Sequence, residues 1–489
     1  MGKIKEILID TFSGGQATDP RDKNFKKFYH SKHFDAFSFS HKLKPRFDSA
    51  DKGSAQLPGL TALRFWSSAD KNNTNTLWCL VENGSGNGVI IKWNTTTEEW
   101  DSPDGNLFDT TTVSENAFIA YNDGTDTKLY LLDGARYLMC YDLDEASGST
   151  EQEDDLGAYT YDAPFLLNTI DDILYIFKDN EVWYKDGDSA AAQASITFPE
   201  DTYIAMACQY GNYIAIAVNW INEIKSAIFL WDRDTSLETA TERYDFESSK
   251  IYQIANLQGR LMVMDTDFID VYFRRFNGSE FSLVNKMIGV RQTNLQTNNF
   301  YRFNTIRNDI LLFPMSLDVP GYGDSYNTRL GIWALDSNGK VTLDTVIEGA
   351  TTYKGLYYWL GDLWVCYNTD KTAKTGITYS KTNPSVYETL FIGDASRNKT
   401  LLAVGARTEP LPADGQIVIK YRTAEDSDWT TISTETTDDS RYHDAVNIES
   451  TGAIFEDFRE IQFRVESTGG AVLTGLRVRY EEKDDNIGT

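Results

Sequence analysis

Apolar runs and polar turns alternate along the whole chain, and the clearest pair of runs lies between Gly211 and Arg233. Residues 213–218 and 227–231 are rich in Ile, Ala, Val and aromatic side chains, and a polar stretch separates them. Apolar runs of this length, bounded by Gly and Asp, are typical of β-strands and not of helices. This part of the sequence therefore predicts an antiparallel β-hairpin.

The same hairpin pattern occurs seven times. The hairpins begin near residues 76, 128, 173, 212, 259, 309 and 361, so neighbouring units are 39 to 52 residues apart. A spacing of roughly 40 to 50 residues is typical of β-propeller blades, each of which is a sheet of about four strands. We predict an all-β protein with a propeller of about seven blades; a large β-sandwich or a β-helix is the alternative.

The pattern changes at both ends of these repeats. Beyond residue 394 the segments IQFRV and LRVRY alternate apolar and polar residues strictly, which predicts strands with one exposed face. We therefore divide the 489-residue chain into a basic N-terminal arm (residues 1–54), a β-propeller (55–393) and a small C-terminal β-sandwich (394–484).

The charge of the arm differs from that of the rest of the chain. Residues 1–54 contain eleven Lys and Arg against seven Asp and Glu, a balance of +4, while the other residues carry −31. A basic segment on an acidic body predicts docking by charge, onto its own blades or onto a neighbouring subunit; a solvated tail is the alternative. The candidate assembly contacts are Lys23, Lys26, Lys27, Lys32 and Arg46.

The acidic residues lead to two further expectations. Residues 142–162 contain eight Asp and Glu and no Lys or Arg, which predicts a solvated loop between the second and third units. The acidic body would repel nucleic acid, so specific DNA binding is not expected. An acidic inner wall of a ring would, however, let DNA pass without sticking to it.

The cysteine and hydropathy patterns indicate where the protein is made and whether the sequence predicts a membrane anchor. Cys79, Cys140, Cys208 and Cys366 each lie in an apolar strand of a different unit with no metal-type spacing, which predicts buried free thiols. No apolar run approaches the 18 residues of a membrane anchor, and the first residues carry charges where a signal peptide needs an apolar block. We expect synthesis in the cytoplasm and no membrane anchor.

Recognisable catalytic motifs are absent from the sequence. It contains no G-x-S-x-G, H-E-x-x-H, C-x-x-C or phosphate-binding glycine loop, and three of its four His residues lie in the arm. We predict no catalytic residue, cofactor or metal site. A glycosidase-type carboxylate pair stays open, because 73 Asp and Glu supply many candidate pairs. Trp220, at the tip of the clearest hairpin, is a candidate loop contact for a partner or a sugar.

Two segments resemble structural proteins of tailed-bacteriophage virions. The start, DTFSGGQATDPRDKNF followed by SKHFDAFSFSHKLKPR, is similar to the F-S-G-G and D-P-R opening of such proteins. The later segment TYSKTNPSVYE (residues 378–388) resembles a strand–turn of the last blade in tail-nozzle and packaged-DNA stabilisation hub propellers. The resemblance covers the N-terminal arm and the last predicted blade, some 70 residues.

The resemblance implies an assembly component of the phage tail, as a nozzle, hub or head-to-tail connecting ring along the DNA exit path. The expected location is then the virion, and the expected partners are copies of the chain and other tail or connector proteins. Packaged DNA would pass nearby without specific binding. The alternative from a different class is a tail adsorption protein that binds or cleaves glycans of the host surface.

Overall fold

A computed structural model describes residues 3–17, 19–52, 59–69, 75–101, 113–143, 150–287, 303–318, 328–368, 370–376, 379–394, 396–425, 427–446 and 457–483. These described residues form strands, turns and bends and no helix. The predicted all-β class is therefore confirmed for this part of the chain.

The strands are numbered in chain order. The N-terminal ones are β1 (Lys3–Ile9), β2 (His30–Lys32), β3 (Phe34–Asp35), β4 (Lys44–Pro45) and β5 (Ser49–Asp51). The next are β6 (Leu60–Ala69), β7 (Asn75–Asn83), β8 (Gly88–Asn94), β9 (Glu99–Trp100), β10 (Phe118–Asn122), β11 (Thr127–Leu132), β12 (Tyr137–Asp142) and β13 (Thr150–Asp155). Then come β14 (Leu166–Leu167), β15 (Leu174–Lys178), β16 (Glu181–Lys185), β17 (Ala192–Gln193), β18 (Thr202–Tyr210), β19 (Tyr213–Trp220), β20 (Ser226–Trp231) and β21 (Glu242–Phe246).

The second half continues in the same way. It contains β22 (Lys250–Leu257), β23 (Arg260–Thr266), β24 (Val271–Phe276), β25 (Phe281–Met287), β26 (Thr305–Arg307), β27 (Ile310–Asp318), β28 (Thr328–Leu335), β29 (Val341–Thr345), β30 (Tyr353–Trp359), β31 (Asp362–Tyr367) and β32 (Lys371–Thr375). The C-terminal strands are β33 (Ser385–Glu388), β34 (Ile392–Gly393), β35 (Lys399–Thr408), β36 (Gln416–Arg422), β37 (Thr430–Glu435), β38 (Tyr442–Val446), β39 (Asp457–Phe458), β40 (Glu460–Thr468) and β41 (Leu473–Glu482).

Strands β6 to β32, together with β5, form antiparallel sheets of four strands each. Six of these sheets use four consecutive strands, and in every sheet the first strand pairs with the second, the second with the third and the third with the fourth. The seven predicted hairpins are the second and third strands of the sheets, from β7–β8 to β31–β32. Repeated four-stranded sheets of this kind are the units of a β-propeller.

The last of these sheets is completed from the other end of the chain. Its order is β30-β31-β32-β5, and Ser49 of β5 lies opposite Thr375 of β32. The first strand of this sheet also contacts β6, the first strand of the first sheet. The contact is close at Gly355, where a Cβ atom would clash with the backbone oxygen of Leu63. The first and last sheets therefore meet.

The interior of the sheets is apolar on both faces. Ile216 of β19 and Ile228 of β20 are both fully buried, and they belong to hydrophobic clusters on opposite faces of their sheet. Burial on both faces explains why the central strands read as continuous apolar runs and not as alternating ones. Neighbouring sheets share these clusters, so each sheet stabilises the next.

Two further sheets lie outside the repeats. One has the order β1-β41-β35-β38 with β39 beside β35, and the other has the order β2-β33-β40-β36-β37 with β34 beside β40. They share one hydrophobic cluster that includes Val404, Ile419, Phe463 and Val478. The two C-terminal strands that alternation predicted are present, as β40 and β41.

The N-terminal residues are not a separate arm. β1 pairs along its whole length with β41, from Lys3 opposite Glu482 to Ile9 opposite Leu476. Phe12, Phe28 and Leu43 are buried in the C-terminal cluster. The predicted boundary at residue 54 differs from the structure, because the first 51 residues supply strands to both parts of the molecule. The boundary at 393 also differs, since β33 and β34 pair with β40.

The predicted acidic loop is in part a strand. Residues 144–149 lie outside the described residues, but β13 is the fourth strand of the second four-stranded sheet. Glu153 and Asp154 of β13 lie 2.8 and 3.7 Å from the ammonium group of Lys185, which is buried. Part of the acidic composition therefore neutralises a buried cation of the next sheet, and the prediction of a solvated loop is wrong for this strand.

Candidate functional site: the axial cavity

A cavity of about 610 Å³ lies where the first strands of the four-stranded sheets converge. Each of these sheets contributes lining residues, from β6, β18, β22, β26 and β30 and from the segments around the starts of β10 and β14. Small side chains at Ala207, Cys208 and Ala255 leave room at the centre. We call this space the axial cavity.

One part of the axial cavity contains a guanidinium group. The side chain of Arg64 donates from Nε to the backbone oxygen of Glu115 at 2.7 Å and from Nη2 to that of Asn116 at 2.9 Å. The guanidinium also lies 4.9 Å from the ring centre of Phe303. Burial lowers the pKa of Arg64 to about 10, so the group stays charged at neutral pH. Arg64 thereby links the first sheet to the residues that begin the second.

Amide groups and a thioether lie beside this guanidinium. The side-chain amide of Asn304 donates to Oε1 of Gln253 at 2.6 Å and to the sulfur of Met206 at 3.5 Å. The same sulfur accepts the backbone N–H of Ile254 at 3.4 Å. These contacts join the fourth, fifth and sixth four-stranded sheets around the axis.

A second amide cluster involves Thr169, Gln209 and Asn256. Oε1 of Gln209 accepts the backbone N–H of Thr169 at 3.2 Å and its hydroxyl at 3.0 Å. The side-chain amide of Asn256 donates to the backbone oxygen of Gln209 at 3.1 Å. Oδ1 of Asn256 is buried and has no hydrogen-bond partner among the described residues. This oxygen is therefore an acceptor that the described protein groups leave unused.

Aromatic side chains form another part of the wall. The ring centres of Trp66 and Tyr357 lie 5.5 Å apart at an angle of 44°. The hydroxyl of Tyr357 lies 2.9 Å from Oγ of Ser67, which holds the ring in place. Phe165, from the third sheet, also lines the cavity. The wall thus combines aromatic faces with amide groups and one cation.

The wall of the axial cavity is not acidic. Arg64 is the one charged side chain among the described lining residues. The described lining residues therefore do not form the acidic inner wall considered for a DNA channel, in spite of the net charge of −27. A cavity of this volume is suited to a small ligand and not to a nucleic-acid duplex.

The five predicted assembly contacts differ in exposure and in their partners within the chain. Lys23 and Lys26 are exposed, whereas Lys27 forms an ion pair of 3.1 Å with Asp22. Lys32 is half-buried, and burial lowers its pKa. Arg46 lies 2.8 Å from Asp344 and 3.2 Å from Asp35 of its own chain. Of the five, Lys23 and Lys26 are the ones the structure leaves most accessible to a partner.

Trp220 is less accessible than a loop tip suggests. It is the last residue of β19 and is half-buried. The ammonium of Lys225 and the guanidinium of Arg243 lie 5.1 and 5.7 Å from its ring centre. Cation–π contacts of this kind stabilise the ring within the chain itself. The role of Trp220 as a contact for a partner stays a prediction.

The cysteines are free, as the sequence predicts, but one differs in exposure. Cys79, Cys140 and Cys366 are buried, whereas Cys208 is half-buried and lines the axial cavity. Sequence reasoning did not identify the axial cavity, because its lining is dispersed from residue 64 to residue 357 without a motif. Polar residues at the ends of otherwise apolar strands, such as Gln209 and Asn256, were the available signal.

Among the described residues, no group of three or more His, Cys, Asp or Glu is arranged to hold a metal ion. The same residues include no helix long and apolar enough to cross a membrane.

Comparisons with known proteins concern the fold. No protein family and no curated protein sequence matches this chain. Virginiamycin B lyase from Staphylococcus aureus is similar over 68% of this chain and 99% of its own, at 12% identity and a TM-score of 0.44. The Dos1 propeller matches 70% of this chain and 80% of its own, at 10% identity and a TM-score of 0.38. A puromycin hydrolase matches 70% and 61%, at 9% identity and a TM-score of 0.46. These likenesses carry no functional argument.

Proposed function

We propose that this protein is a structural subunit of a tailed-bacteriophage virion, which assembles with copies of itself and with other tail or connector proteins. The observation that carries the proposal is the position of the two segments that resemble such proteins. They are more than 300 residues apart in the sequence, yet they meet at a single joint between the propeller and the C-terminal sheets.

The contacts at this joint are specific. β2 pairs with β33, so that His30 lies opposite Glu388 and Lys32 opposite Val386. The ring of Tyr387 lies 5.3 Å from that of Phe12 and 5.9 Å from that of Phe28, measured between centres. Residues of the F-S-G-G opening and of the later strand–turn therefore pack into one core.

Further contacts extend the joint towards the propeller. The hydroxyl of Ser385 donates to the backbone oxygen of His33 at 3.0 Å. The rings of Phe47 and Tyr379 are 4.6 Å apart. β33 is paired outside the four-stranded sheets, and so it is not part of a last blade as the resemblance implied.

The nature of the joint supports a structural role. The residues it uses are aromatic, buried or hydrogen-bonded to backbone, and they connect the two parts of the molecule. Both segments that resemble phage tail proteins lie in this joint. Their resemblance therefore supports an architecture shared with those proteins at this place. A subunit that must keep its shape within a particle needs a rigid connection of this kind.

We also infer the finer architecture. The seven four-stranded sheets are the seven blades of one closed propeller, which β5 completes, and the two remaining sheets form a β-sandwich. Contact between β30 and β6 supports closure, and the shared cluster supports the sandwich. Because the axial cavity is small, packaged DNA would pass beside subunits and not through the propeller axis.

The proposal is tested on purified particles. Virions of a phage that encodes this chain are separated on a density gradient, and their proteins are quantified by mass spectrometry against the major capsid protein. We expect a fixed copy number that matches the symmetry of a ring, and antibodies to the chain should label the tail in electron micrographs. Its presence in infected cells but not in gradient-purified virions would contradict the proposal.

A further inference from the structure

We propose that the axial cavity is a binding site for a small neutral saccharide of one or two rings. The inference concerns the isolated chain and does not depend on the virion proposal. It rests on three properties of the cavity: its volume, its aromatic wall and the unused side-chain NH₂ group of Gln209.

The volume suits such a ligand. Sites for small molecules in proteins measure about 300–1,000 Å³, and the axial cavity has about 610 Å³. It also lies at the convergence of seven sheets whose positions are fixed by buried cores. A site of this kind is preformed, so a ligand does not have to order the wall on binding.

The aromatic wall provides a surface for the apolar faces of a sugar ring. Trp66 and Tyr357 both line the cavity and contact each other at 5.5 Å. Their rings are half-buried, because packing covers one part of each ring while another part faces the cavity. Amphipathic rings bind ligands that present C–H groups next to hydroxyls, which is the surface of a pyranose.

An amide donor on the wall matches the hydroxyls of the same ligand. Gln209 uses its side-chain oxygen for Thr169, and its NH₂ group takes no part in these contacts and can donate. A sugar hydroxyl accepts such a hydrogen bond. Oδ1 of Asn256, which is covered by its surroundings, does not face the ligand.

Charge favours a neutral ligand over an acidic one. The guanidinium of Arg64 is held by the backbone oxygens of Glu115 and Asn116, and it is not part of the cluster of Thr169, Gln209 and Asn256. The net charge of −27 repels anions on approach. The uncharged amide and aromatic groups therefore define the ligand class.

Binding is tested with defined probes and the full-length protein. Glucose, galactose, N-acetylglucosamine, maltose and lactose are titrated in turn, with saturation-transfer NMR and Trp fluorescence as readouts, and glucuronate serves as the anionic probe. We expect saturable binding of at least one neutral sugar, with a dissociation constant of about 1 mM or tighter.

Three variants locate the site. Gln209→Glu replaces the NH₂ donor by an acceptor and should weaken binding about tenfold, the effect of one lost hydrogen bond. Ala207→Phe fills the cavity without removing a polar group and should abolish binding. Asn212→Ala removes an amide from the exposed turn of the adjacent hairpin and should leave binding unchanged. Thermal melting of each variant identifies any that fails to fold.

Three results would overturn the proposal. The first is no saturable binding of any neutral sugar to the folded parent protein. The second is binding that a folded Ala207→Phe variant retains, because the sugar would then lie elsewhere. The third is binding of glucuronate without binding of any neutral sugar, which would assign the cavity to anions.

Discussion

At the scale of single residues, the environment of Cys208 makes it a reporter of the axial cavity. It is the one cysteine of the four that is not fully buried, and burial raises the pKa of its thiol to about 12. The thiolate is the reactive form. We predict that iodoacetamide labels a single site in the native protein, that this site is Cys208, and that its rate rises about tenfold per pH unit from pH 7 to pH 10.

Intact-mass and peptide mass spectrometry measure this labelling. The Cys208→Ser variant is the matched control and should take up no label while it stays folded. Primary labelling at Cys79, Cys140 or Cys366, or a rate that levels off near pH 9, would show that the cavity and its effect on the thiol are wrongly described.

His33 makes a second prediction at this scale. Burial, and then the charge of Lys32, lowers the pKa of His33 to about 3. The unfolded chain, with a pKa of about 6.5, binds more protons than the native chain between these values, so stability falls as the pH falls through this window. We expect the free energy of unfolding to decrease from pH 7 to pH 4 and the decrease to be smaller in His33→Asn.

Urea unfolding at several pH values measures the effect. Asn is chosen because His33 has a positive φ of 59°, which Asn tolerates better than most residues. The control is His41→Asn, since His41 is exposed. A His33→Asn protein with the same pH dependence as the parent would contradict the assignment.

At the scale of elements, the sequence predicted what is local. A hairpin such as β19–β20 places its two apolar runs within 19 residues, so both runs and their turn are visible together. The same holds for the C-terminal strands, whose alternation reflects one buried face. In each case the chain segment itself contains the information that defines the element.

Elements defined by distant partners could not be predicted. β5 is three residues long, and its partner β32 lies more than 300 residues away. The polar and acidic sequence of β13, TEQEDD, predicts a loop when it is taken alone. Its carboxylates gain a buried partner only in the folded structure, where Lys185 of the next sheet lies beside them. The axial cavity belongs to the same class, since Arg64, Gln209 and Asn256 come from three different sheets.

The N-terminal strands yield a prediction about folding. Deleting residues 1–54 removes β5 from the last four-stranded sheet and Phe12, Phe28, Phe34 and Leu43 from the C-terminal core. We expect the truncated chain to aggregate or to lack a cooperative thermal transition, because the last four-stranded sheet and the C-terminal core are both left incomplete.

The control is the double variant Lys23→Ala, Lys26→Ala, which removes exposed charge from the same segment and should melt like the parent. A soluble, cooperatively folded truncation would show that these strands are dispensable.

At the scale of the whole molecule, a buried ion cluster joins the N-terminal segment to the propeller. Asp344 of β29 is fully buried and lies 2.7 Å from Arg307 and 2.8 Å from Arg46. Burial alone raises the pKa of Asp344, but the charges of Arg307 and Arg46 outweigh it and hold the pKa well below the usual range. The carboxylate is therefore ionised at all ordinary pH values.

Neutralising this carboxylate should weaken the whole fold. We predict that Asp344→Asn lowers the free energy of unfolding by about 3–5 kcal/mol, because two guanidinium groups lose their shared partner in a buried site. Urea unfolding measures the change. The control Asp22→Asn removes the half-exposed partner of Lys27 and should cost about 1 kcal/mol or less. Equal effects of the two substitutions would contradict a buried, shared role for Asp344.

The pairing of β1 with β41 has a consequence for the order of synthesis. The ammonium of Lys5 meets the carboxylate of Glu482, 477 residues later, so β1 leaves the ribosome long before β41 exists. At about 5–20 residues per second this interval lasts about half a minute or more. During that time Phe12, Phe28 and Phe34 have no core to enter, and the nascent chain must be shielded by chaperones or by transient collapse. Synthesis of β41, and not emergence of any single four-stranded sheet, is therefore the event that allows these N-terminal residues to enter their core.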